Sequence, residues 1–302
     1  MVTIRNFYLH DLVAYVQLVN EINDLDGLGR ATSVEQLKQR LGQPGYHLEE
    51  DLFLAEVDGL LVGYADMARE LEIGRVILDI AVHPTLRGQG MGSRLLEIAM
   101  DNGRKLGAKV IHIPIEQGLQ AGEHFVRKRG FQVVRRQWQM SLTEYGVGAL
   151  QIPSGFELRY FLPGDEESLC ALQNLAFTGS WGFRPNMVEE IRYLVNTSWC
   201  SPEGILFINE GQIKVGYCWT MDHPTDREKG WIRMIGINPT YRGRGLGRAV
   251  LIAGIEYLRK RGKQEIELLV YSRNQSAKRL YQSTGFKRKG TTLWYQRNLG
   301  SC

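Results

Sequence analysis

The fold of this chain is decided by the stretch Ile237–Arg248, which reads INPTYRGRGLGR. An apolar run of strand type, Trp231–Ile237, precedes it, and apolar residues at helical spacing follow it as far as Arg261. Glycines at alternate positions allow backbone conformations closed to other residues and a close approach by a ligand. The amides of such a turn, with the positive end of the next helix dipole, favour a phosphate group. The stretch therefore predicts a strand, an anion-binding loop and a helix.

The loop adds three arginines to this pattern, and they place positive charge where an anion would bind. Its glycine spacing differs from the dinucleotide fingerprint G-x-G-x-x-G and from the nucleotide P-loop, so it indicates neither. An ordinary tight turn would also fit the loop alone, and further signals are needed. The candidate binding residues are Arg242, Gly243, Arg244, Gly245, Leu246, Gly247 and Arg248.

The first half of the chain contains a second copy of the loop. Arg242 follows Arg87 by 155 positions, and Phe286 follows Phe131 by the same number. A repeat that holds its register in this way predicts two domains, 1–148 and 154–302, separated by a linker rich in glycine, proline and serine. The equivalent candidate residues of the first copy are Val82, Arg87, Gly88, Gln89, Gly90, Met91 and Gly92.

Two motifs carry a resemblance to a known family. Arg242-x-x-Gly245-x-Gly247 matches the [Q/R]-x-x-G-x-[G/A] loop of the GNAT (GCN5-related N-acetyltransferase) family, and the segment 268–286 resembles its second signature, L-x-V-x-x-x-N-x-x-A-x-x-L-Y-x-x-x-G-F. The resemblance implies an α+β fold of two tandem GNAT domains, each a mixed, mostly antiparallel sheet flanked by helices. It also implies an N-acetyltransferase (acyltransferase, EC 2.3.1 type) that binds acetyl-CoA where the fourth and fifth strands splay apart.

The same resemblance implies roles for individual residues. A backbone N–H of the fourth strand, at Ile235 or Ile237, would polarise the thioester carbonyl. Tyr281 would donate a proton to the leaving sulfur, and Asn274 would contact the cofactor. From the residues alone, Tyr281 could also be a half-buried aromatic side chain that packs under the sheet, but the flanking motif favours the catalytic interpretation.

The first half departs from this pattern, because Val126 and Leu119 stand where the second half has Tyr281 and Asn274. We therefore expect the N-terminal domain to be degenerate and not to catalyse, although Tyr145 or Tyr64 could substitute in space. A degenerate half followed by an active half is the arrangement of the mycothiol synthase group within the family, which this chain resembles.

The acceptor is less clearly marked. Trp181, Phe183 and Arg184 lie between the first two predicted helices of the second half, where they form either a shaped pocket or a hydrophobic plug over the core. Arg233 and Met234 stand where many family members carry a carboxylate base, and the facing of Glu267 is uncertain from alternation. A lysine ε-amine would need a capable base, so we expect an α-amine or a small amine of lowered pKa. Arg184 and Arg233 could bind an acidic group on such a substrate.

Composition limits the remaining possibilities. Residues 1–150 carry 16 Lys and Arg against 19 Asp and Glu, whereas residues 151–302 carry 21 against 14. The basic second half is therefore the better electrostatic host for the phosphates of coenzyme A. The alternative is that the imbalance only reflects solvated surface charges. We expect no nucleic-acid partner, no membrane span and no metal, and a cytoplasmic location. The partner expected is a small-molecule or peptide amine; the oligomeric state stays open. A non-catalytic acyl-CoA sensor is the alternative function.

Overall fold

The computed structural model describes residues 2–144, 148–223 and 225–300, and it divides the chain into two compact units. Unit 1 consists of residues 1–136 and 292–302, and unit 2 consists of residues 137–291. The repeat places the division in the linker, at 148–154. In space the division lies elsewhere because the last strand of each half belongs to the sheet of the other unit.

Unit 1 is a six-stranded sheet with helices on both faces. Its strands lie in the order β1-β2-β3-β4-β5-β12, antiparallel except for the parallel pair β4 and β5. Helices α1 and α2 cover one core, and α4 and α5 cover the other. The elements are β1 (Val2–Asn6), α1 (Leu12–Leu25), α2 (Val34–Leu41), α3 (Leu48–Asp51), β2 (Leu52–Val57), β3 (Leu60–Glu70), β4 (Arg75–Val82), α4 (Met91–Lys105), β5 (Val110–Glu116), α5 (Gln120–Arg127) and the final part of β12 (Lys287–Asn298).

Unit 2 repeats this architecture, with the order β6-β11-β10-β9-β8-β7 and one parallel pair, β10 and β11. Helices α6 and α7 cover one core, and α8 and α9 cover the other. The elements are the final part of β6 (Gln132–Leu142), β7 (Glu157–Tyr160), α6 (Glu166–Phe177), α7 (Val188–Val195), β8 (Ile205–Glu210), β9 (Ile213–Asp222), β10 (Lys229–Ile237), α8 (Leu246–Lys260), β11 (Glu265–Tyr271) and α9 (Gln275–Ser283). Each unit is therefore the expected mixed, mostly antiparallel sheet flanked by helices.

Two short segments of unit 1 have the local structure that their residue types favour. Asp58 and Gly59 join β2 to β3 with φ of 50° and 83°, the two positive angles that a tight hairpin turn requires. Ser33 and Gln36 form the reciprocal capping box at the start of α2. No helix within the described ranges is long and apolar enough to cross a membrane. Tyr145 lies outside the described residues.

The central parallel pair opens in both units. Strands β10 and β11 pair only from Lys229–Glu265 to Ile232–Leu268, although β10 continues to Ile237. Beyond Ile232, β10 pairs with β9 alone, and β11 pairs with β6. Strands β4 and β5 part in the same way after Ile77. The result is a wedge-shaped gap in the middle of each sheet, as the family resemblance implies.

Candidate active site

The glycine-rich loop of unit 2 follows directly on the open end of β10. Gly243 and Gly245 have φ of 80° and 83°, in the left-handed region, and Gly245 is the residue that caps α8. A Cβ at Gly243 would meet nothing within 4 Å, so its glycine is required by backbone angle and not by crowding. The first amides of α8 have no acceptor within the helix. They lie beside exposed loop residues, so an anion could reach them.

The loop arginines take three different positions. Arg242 donates from Nη2 to the Ala176 carbonyl at 2.6 Å and from Nε to the Ile237 carbonyl at 3.3 Å, so it braces the loop against the end of α6. Arg248 donates to Ser283 Oγ at 3.1 Å, and Arg244 lies 4.8 Å from the ring centroid of Tyr241. The side chain of Leu246 is buried in the α8 core, so only its amide could serve a ligand.

The amides predicted to polarise a carbonyl face the gap. The N–H of Asn238 donates to Val215 O of β9 at 2.8 Å. Because N–H groups alternate in direction along a strand, the amides of Ile235 and Ile237 point the other way, toward the side from which β11 has separated. Both residues therefore present a donor to the wedge, and neither amide is used by the ladder with β9.

A β-bulge interrupts β10 at the mouth of the gap. Ile232 pairs with Thr220 and Met234 pairs with Trp219, which leaves Arg233 as an extra residue. Both side chains next to the bulge lie on the α6 and α7 face, since Arg233 is 5.3 Å from the Trp219 ring and Met234 packs against that core. Bulges re-aim side chains beside active sites. The ladder of β4 in unit 1 has no such register shift within the described pairs.

Tyr281 lies on α9 with 9% of its surface exposed, and its ring packs edge-on against Phe286 at 6.0 Å. Burial raises the pKa of its hydroxyl above the usual value, with a smaller contribution from Cys218. Among the described residues the hydroxyl has no hydrogen-bond partner. The ring of Tyr281 thus packs in the core that α8 covers, and its hydroxyl stays protonated at neutral pH.

Two other candidates have structural roles. Asn274 caps α9, with its Oδ1 accepting from the Ala277 amide at 3.1 Å, so its side chain is in use before any cofactor binds. Glu267 is buried and accepts from Lys289 at 2.6 Å, from Gln139 at 2.9 Å and from Trp231 at 3.3 Å. Burial alone would raise the pKa of Glu267, but Lys289 and Gln139 outweigh it and lower the pKa. Glu267 is therefore an ion-paired carboxylate and a poor general base.

The loop between α6 and α7 is closed at its base by a pair of amides. Asn186 donates to Asn174 Oδ1 at 2.8 Å, and Asn174 donates back to Asn186 O at 3.1 Å. Trp181 and Phe183 are half-buried. Arg184 donates to Glu190 Oε1 at 2.5 Å, so its charge is matched by a neighbouring carboxylate.

Unit 1 has the same loop but a different surrounding. Gly88 and Gly90 have φ of 81° and 84°, matching unit 2, and Met91 is buried as Leu246 is. Arg87 forms two hydrogen bonds with Asp26, at 2.8 and 2.6 Å, and donates to the Val82 carbonyl at 3.0 Å.

The sequence analysis did not identify one residue of unit 1, Asp79. Asp79 occupies the same place in β4 that Met234 occupies in β10. Asp79 pairs with Asp66 of β3, and Met234 pairs with Trp219, the corresponding residue of β9. Unit 1 therefore has the carboxylate but lacks the tyrosine, because Val126 stands there fully buried. The offset of 155 would have found Asp79 had it been applied to the strand as well as to the helix. Tyr64, proposed as a substitute, is buried in unit 1 with its hydroxyl 3.4 Å from Asp79.

Comparison with known proteins places both halves in one family. Residues 167–286 match the acetyltransferase (GNAT) family, and residues 49–133 match an acetyltransferase (GNAT) domain. The mycothiol acetyltransferase of Thermobispora bispora is 35% identical over 231 residues, covering 72% of this chain and 75% of that protein. The mycothiol acetyltransferase of Actinosynnema mirum is 29% identical over 289 residues, covering 92% and 93%.

Solved structures show the same fold along the whole chain. A GCN5-related N-acetyltransferase from Sphaerobacter thermophilus superposes with a TM-score of 0.79 at 24% identity, covering 100% of this chain and 97% of that one. A tandem GNAT protein from the clavulanic acid biosynthesis pathway superposes with a TM-score of 0.80 at 15% identity, covering 100% of both. At these identities the likeness concerns the fold alone.

Proposed function

This chain belongs to the GNAT acetyltransferase family in its tandem form, and from this we propose that its C-terminal half moves an acetyl group from acetyl-CoA to the amine of a small molecule or peptide terminus. GNAT acetyltransferases generally use acetyl-CoA. One observation carries the proposal: among the described residues, unit 2 combines the open strand pair with a bulge on β10 and a buried tyrosine on α9. Unit 1 has the open strand pair but neither of the other two features.

The residues present fit this cofactor. The loop from Gly243 to Arg248 offers exposed amides at positive backbone angles, which suits a diphosphate. The gap between β10 and β11 suits an extended pantetheine arm. When bound, acetyl-CoA would supply an acetyl group activated as a thioester. The basic character of the second half supports the same assignment.

Each residue then has a defined task. The amides of Ile235 and Ile237 would donate hydrogen bonds to a carbonyl oxygen, which concentrates positive potential where negative charge develops. Tyr281 would give its proton to the departing thiolate, and its raised pKa keeps that proton available at neutral pH. With Glu267 ion-paired and Met234 in place of a carboxylate, unit 2 favours an acceptor that loses its proton without a strong base. An α-amine, with a pKa near 8, meets this requirement better than a lysine.

The relatives named mycothiol acetyltransferase support a small-molecule acceptor. We propose the same class for this chain, an amine on a small molecule or at a peptide terminus, in preference to a protein lysine side chain. Unit 1 is proposed not to catalyse, because Val126 cannot donate a proton and β4 lacks the bulge. A wholly non-catalytic sensor is disfavoured by the intact tyrosine and loop of unit 2.

The direct test is a steady-state screen of α-amines, amino sugars, polyamines and lysine peptides with acetyl-CoA, followed by thiol release and by mass spectrometry of the product. We expect acetylated α-amines or amino sugars. Lysine peptides with the highest kcat/KM by a wide margin would contradict the acceptor class, and release of thiol without any acetylated amine would contradict the transfer itself.

The loop is tested by Gly245→Asp. This change adds a side chain at a positive φ and a negative charge at the proposed diphosphate site, so we expect CoA affinity measured by calorimetry to fall by at least about tenfold, which corresponds to roughly 1.4 kcal/mol. The matched control is Gly262→Asp, at the other end of α8. Gly262 has a φ of 80° and open space around it. The control substitution therefore adds the same backbone strain and the same negative charge at a position away from the proposed site. Equal CoA affinity in the two folded variants would reject the site.

A further inference from the structure

Arg233, the residue that the bulge inserts, has a surrounding that the proposed reaction does not explain. Its side chain is exposed to solvent, yet burial of its surroundings lowers the pKa of the guanidinium. A guanidinium that water reaches on one side and that lies among buried groups on the other is partly desolvated. A cation in such a place is costly unless an anion compensates it.

No carboxylate among the described residues pairs with this arginine. In the part of the chain that the structure describes, its contacts are the ring of Trp219 at 5.3 Å and the sulfur of Met221 at 3.9 Å. The ionisable groups that act on its charge are Cys200 and Tyr217, both normally neutral at pH 7. Arg184, the other arginine considered for a substrate, is already paired with Glu190. Arg233 therefore keeps an unmatched positive charge.

Two buried polar groups lie on the same side of the sheet. The Tyr217 hydroxyl and the Gln173 Oε1 have no hydrogen-bond partner among the described residues, and their side chains are 0% and 5% exposed. Gln173 donates from Nε2 to the sulfur of Met234 at 3.2 Å, and the Tyr217 ring packs on Gly236. Buried polar groups are rarely left unpaired. Together with Arg233 they belong to what we call the acceptor face, the side of β9 and β10 that α6 covers.

The position of Arg233 on β10 separates this acceptor face from the diphosphate loop. Ile237 follows Arg233 by four positions along β10, a distance of about 13 Å at roughly 3.3 Å per residue. Arg233 instead lies next to Ile232, where the strands begin to part. An anion at Arg233 would thus belong to the molecule that meets the thioester end of the cofactor and not to the cofactor phosphates.

We propose that the amine acceptor carries an anionic group, a carboxylate or a phosphate, and that Arg233 binds it. This inference rests on the proposed acetyl transfer by unit 2, and it makes Arg233 a specificity-determining residue. The guanidinium can form two parallel hydrogen bonds to either anion. The Gln173 carbonyl and the Tyr217 hydroxyl can pair with polar groups elsewhere on the same molecule.

The test uses matched pairs of acceptors that differ only in the anion. One pair is glycine and glycinamide, and the other is glucosamine 6-phosphate and glucosamine. The quantity measured is the ratio of kcat/KM for the anionic and the neutral member. Comparing this ratio between enzyme variants cancels the difference in amine pKa within each pair. Arg233→Met should lower the ratio for one pair by about 10- to 100-fold, the range expected for a charge-assisted hydrogen bond, and Arg233→Lys should lower it less.

The matched control is Arg192→Met, which removes one arginine from an exposed face of α7 and should keep the wild-type ratio. The pair that responds identifies the anion as carboxylate or phosphate. An unchanged ratio in Arg233→Met for both pairs would overturn the inference. So would a loss of CoA affinity in that variant as large as its loss of acceptor selectivity, because Arg233 would then serve the cofactor.

A binding measurement separates this inference from the proposed reaction. Calorimetry with N-acetylglycine and N-acetylglycinamide needs no turnover. If no amine is acetylated but N-acetylglycine binds the wild type more tightly than Arg233→Met, the anion site stands and only the transfer fails. If acetylation occurs with no preference for anionic acceptors and neither probe distinguishes the variant, the anion site is rejected while the transfer stands.

Discussion

At the scale of single residues, the two halves differ most where the proposed chemistry takes place. Tyr281 of unit 2 corresponds to Val126 of unit 1, and Met234 corresponds to Asp79. Unit 2 thus has the tyrosine that we propose as proton donor, whereas unit 1 has a carboxylate on the equivalent strand. The raised pKa of Tyr281 has a direct consequence for the pH dependence of unit 2.

Because Tyr281 stays protonated beyond the usual tyrosine pKa near 10, it should impose no falling limb on the rate below that pH. We expect kcat/KM for an α-amine to rise through the pKa of the amine, near 8, and then to level off. Tyr281→Phe should lower kcat by about 10²- to 10⁴-fold without moving the rising limb. The measurement is the pH profile of both enzymes between pH 6 and 10.

Two results would count against the proton donor. One is a Tyr281→Phe variant with wild-type kcat. The other is a falling limb near pH 8 or 9 in the wild type that disappears in the variant, since it would mean that the phenol ionises in that range.

At the scale of elements, the end of the chain completes the sheet of unit 1. Strand β12 pairs with β5 from Thr292–Glu116 to Asn298–Val110, and it places Leu293 and Tyr295 in the unit 1 core. On this strand Gln296 contacts His112 Nε2 at 2.8 Å. Burial lowers the pKa of His112 to about 4, and the Gln296 hydrogen bond offsets this only in part.

The lowered pKa of the buried His112 makes the stability of unit 1 depend on pH. Between the unfolded pKa near 6.5 and the folded value of about 4, the unfolded chain binds more protons, so stability falls as the pH falls through this window. The contribution of His112 is complete above pH 7, and about 2 kcal/mol of it should be lost at pH 5. His112→Gln, which cannot titrate, should reduce the pH dependence by that amount in urea unfolding experiments. Identical free energies of unfolding at pH 7 and pH 5 in the wild type would contradict the assignment.

At the scale of the whole molecule, the repeat in the sequence and the compact units in space do not coincide. The segment 1–148 lacks residues 292–298, which end the sheet of unit 1, and the segment 154–302 lacks residues 137–142, which end the sheet of unit 2. Met140 and Leu142 of the missing segment are 0% and 1% exposed in unit 2. Removing such side chains leaves apolar surface and an open strand edge.

We therefore expect the fragments 1–148 and 154–302 to aggregate when each is produced alone and to form a soluble complex when produced together. The fragment 137–291, which contains all of unit 2, should be more soluble and melt more cooperatively than 154–302, although the two are of similar length. Circular dichroism and size-exclusion chromatography measure both properties. A monomeric 154–302 with a sharp thermal transition would show that β6 is dispensable to unit 2.

Much of this protein can be predicted from its sequence, because the signals are local. Alternate glycines at positive φ, the hairpin at Asp58 and Gly59 and the capping box at Ser33 each depend on a few neighbouring residues. The offset of 155 between Arg87 and Arg242 carries the same information at longer range, since it needs only comparison of the chain with itself. These signals determined the family, the two-fold repeat and the position of the loop.

Only the tertiary structure decided which side chains are free to act. The bulge at Arg233 depends on the partner strand β9. The ion pairs depend on Lys289 for Glu267 and on Glu190 for Arg184. The exchange of β6 and β12 depends on which strand edge is available. Strand pairing and charge pairing are settled by contacts that form after the chain is compact, and no local pattern in the sequence specifies them. For this reason the sequence located the loop and the tyrosine, whereas the unmatched charge of Arg233 emerged from the fold.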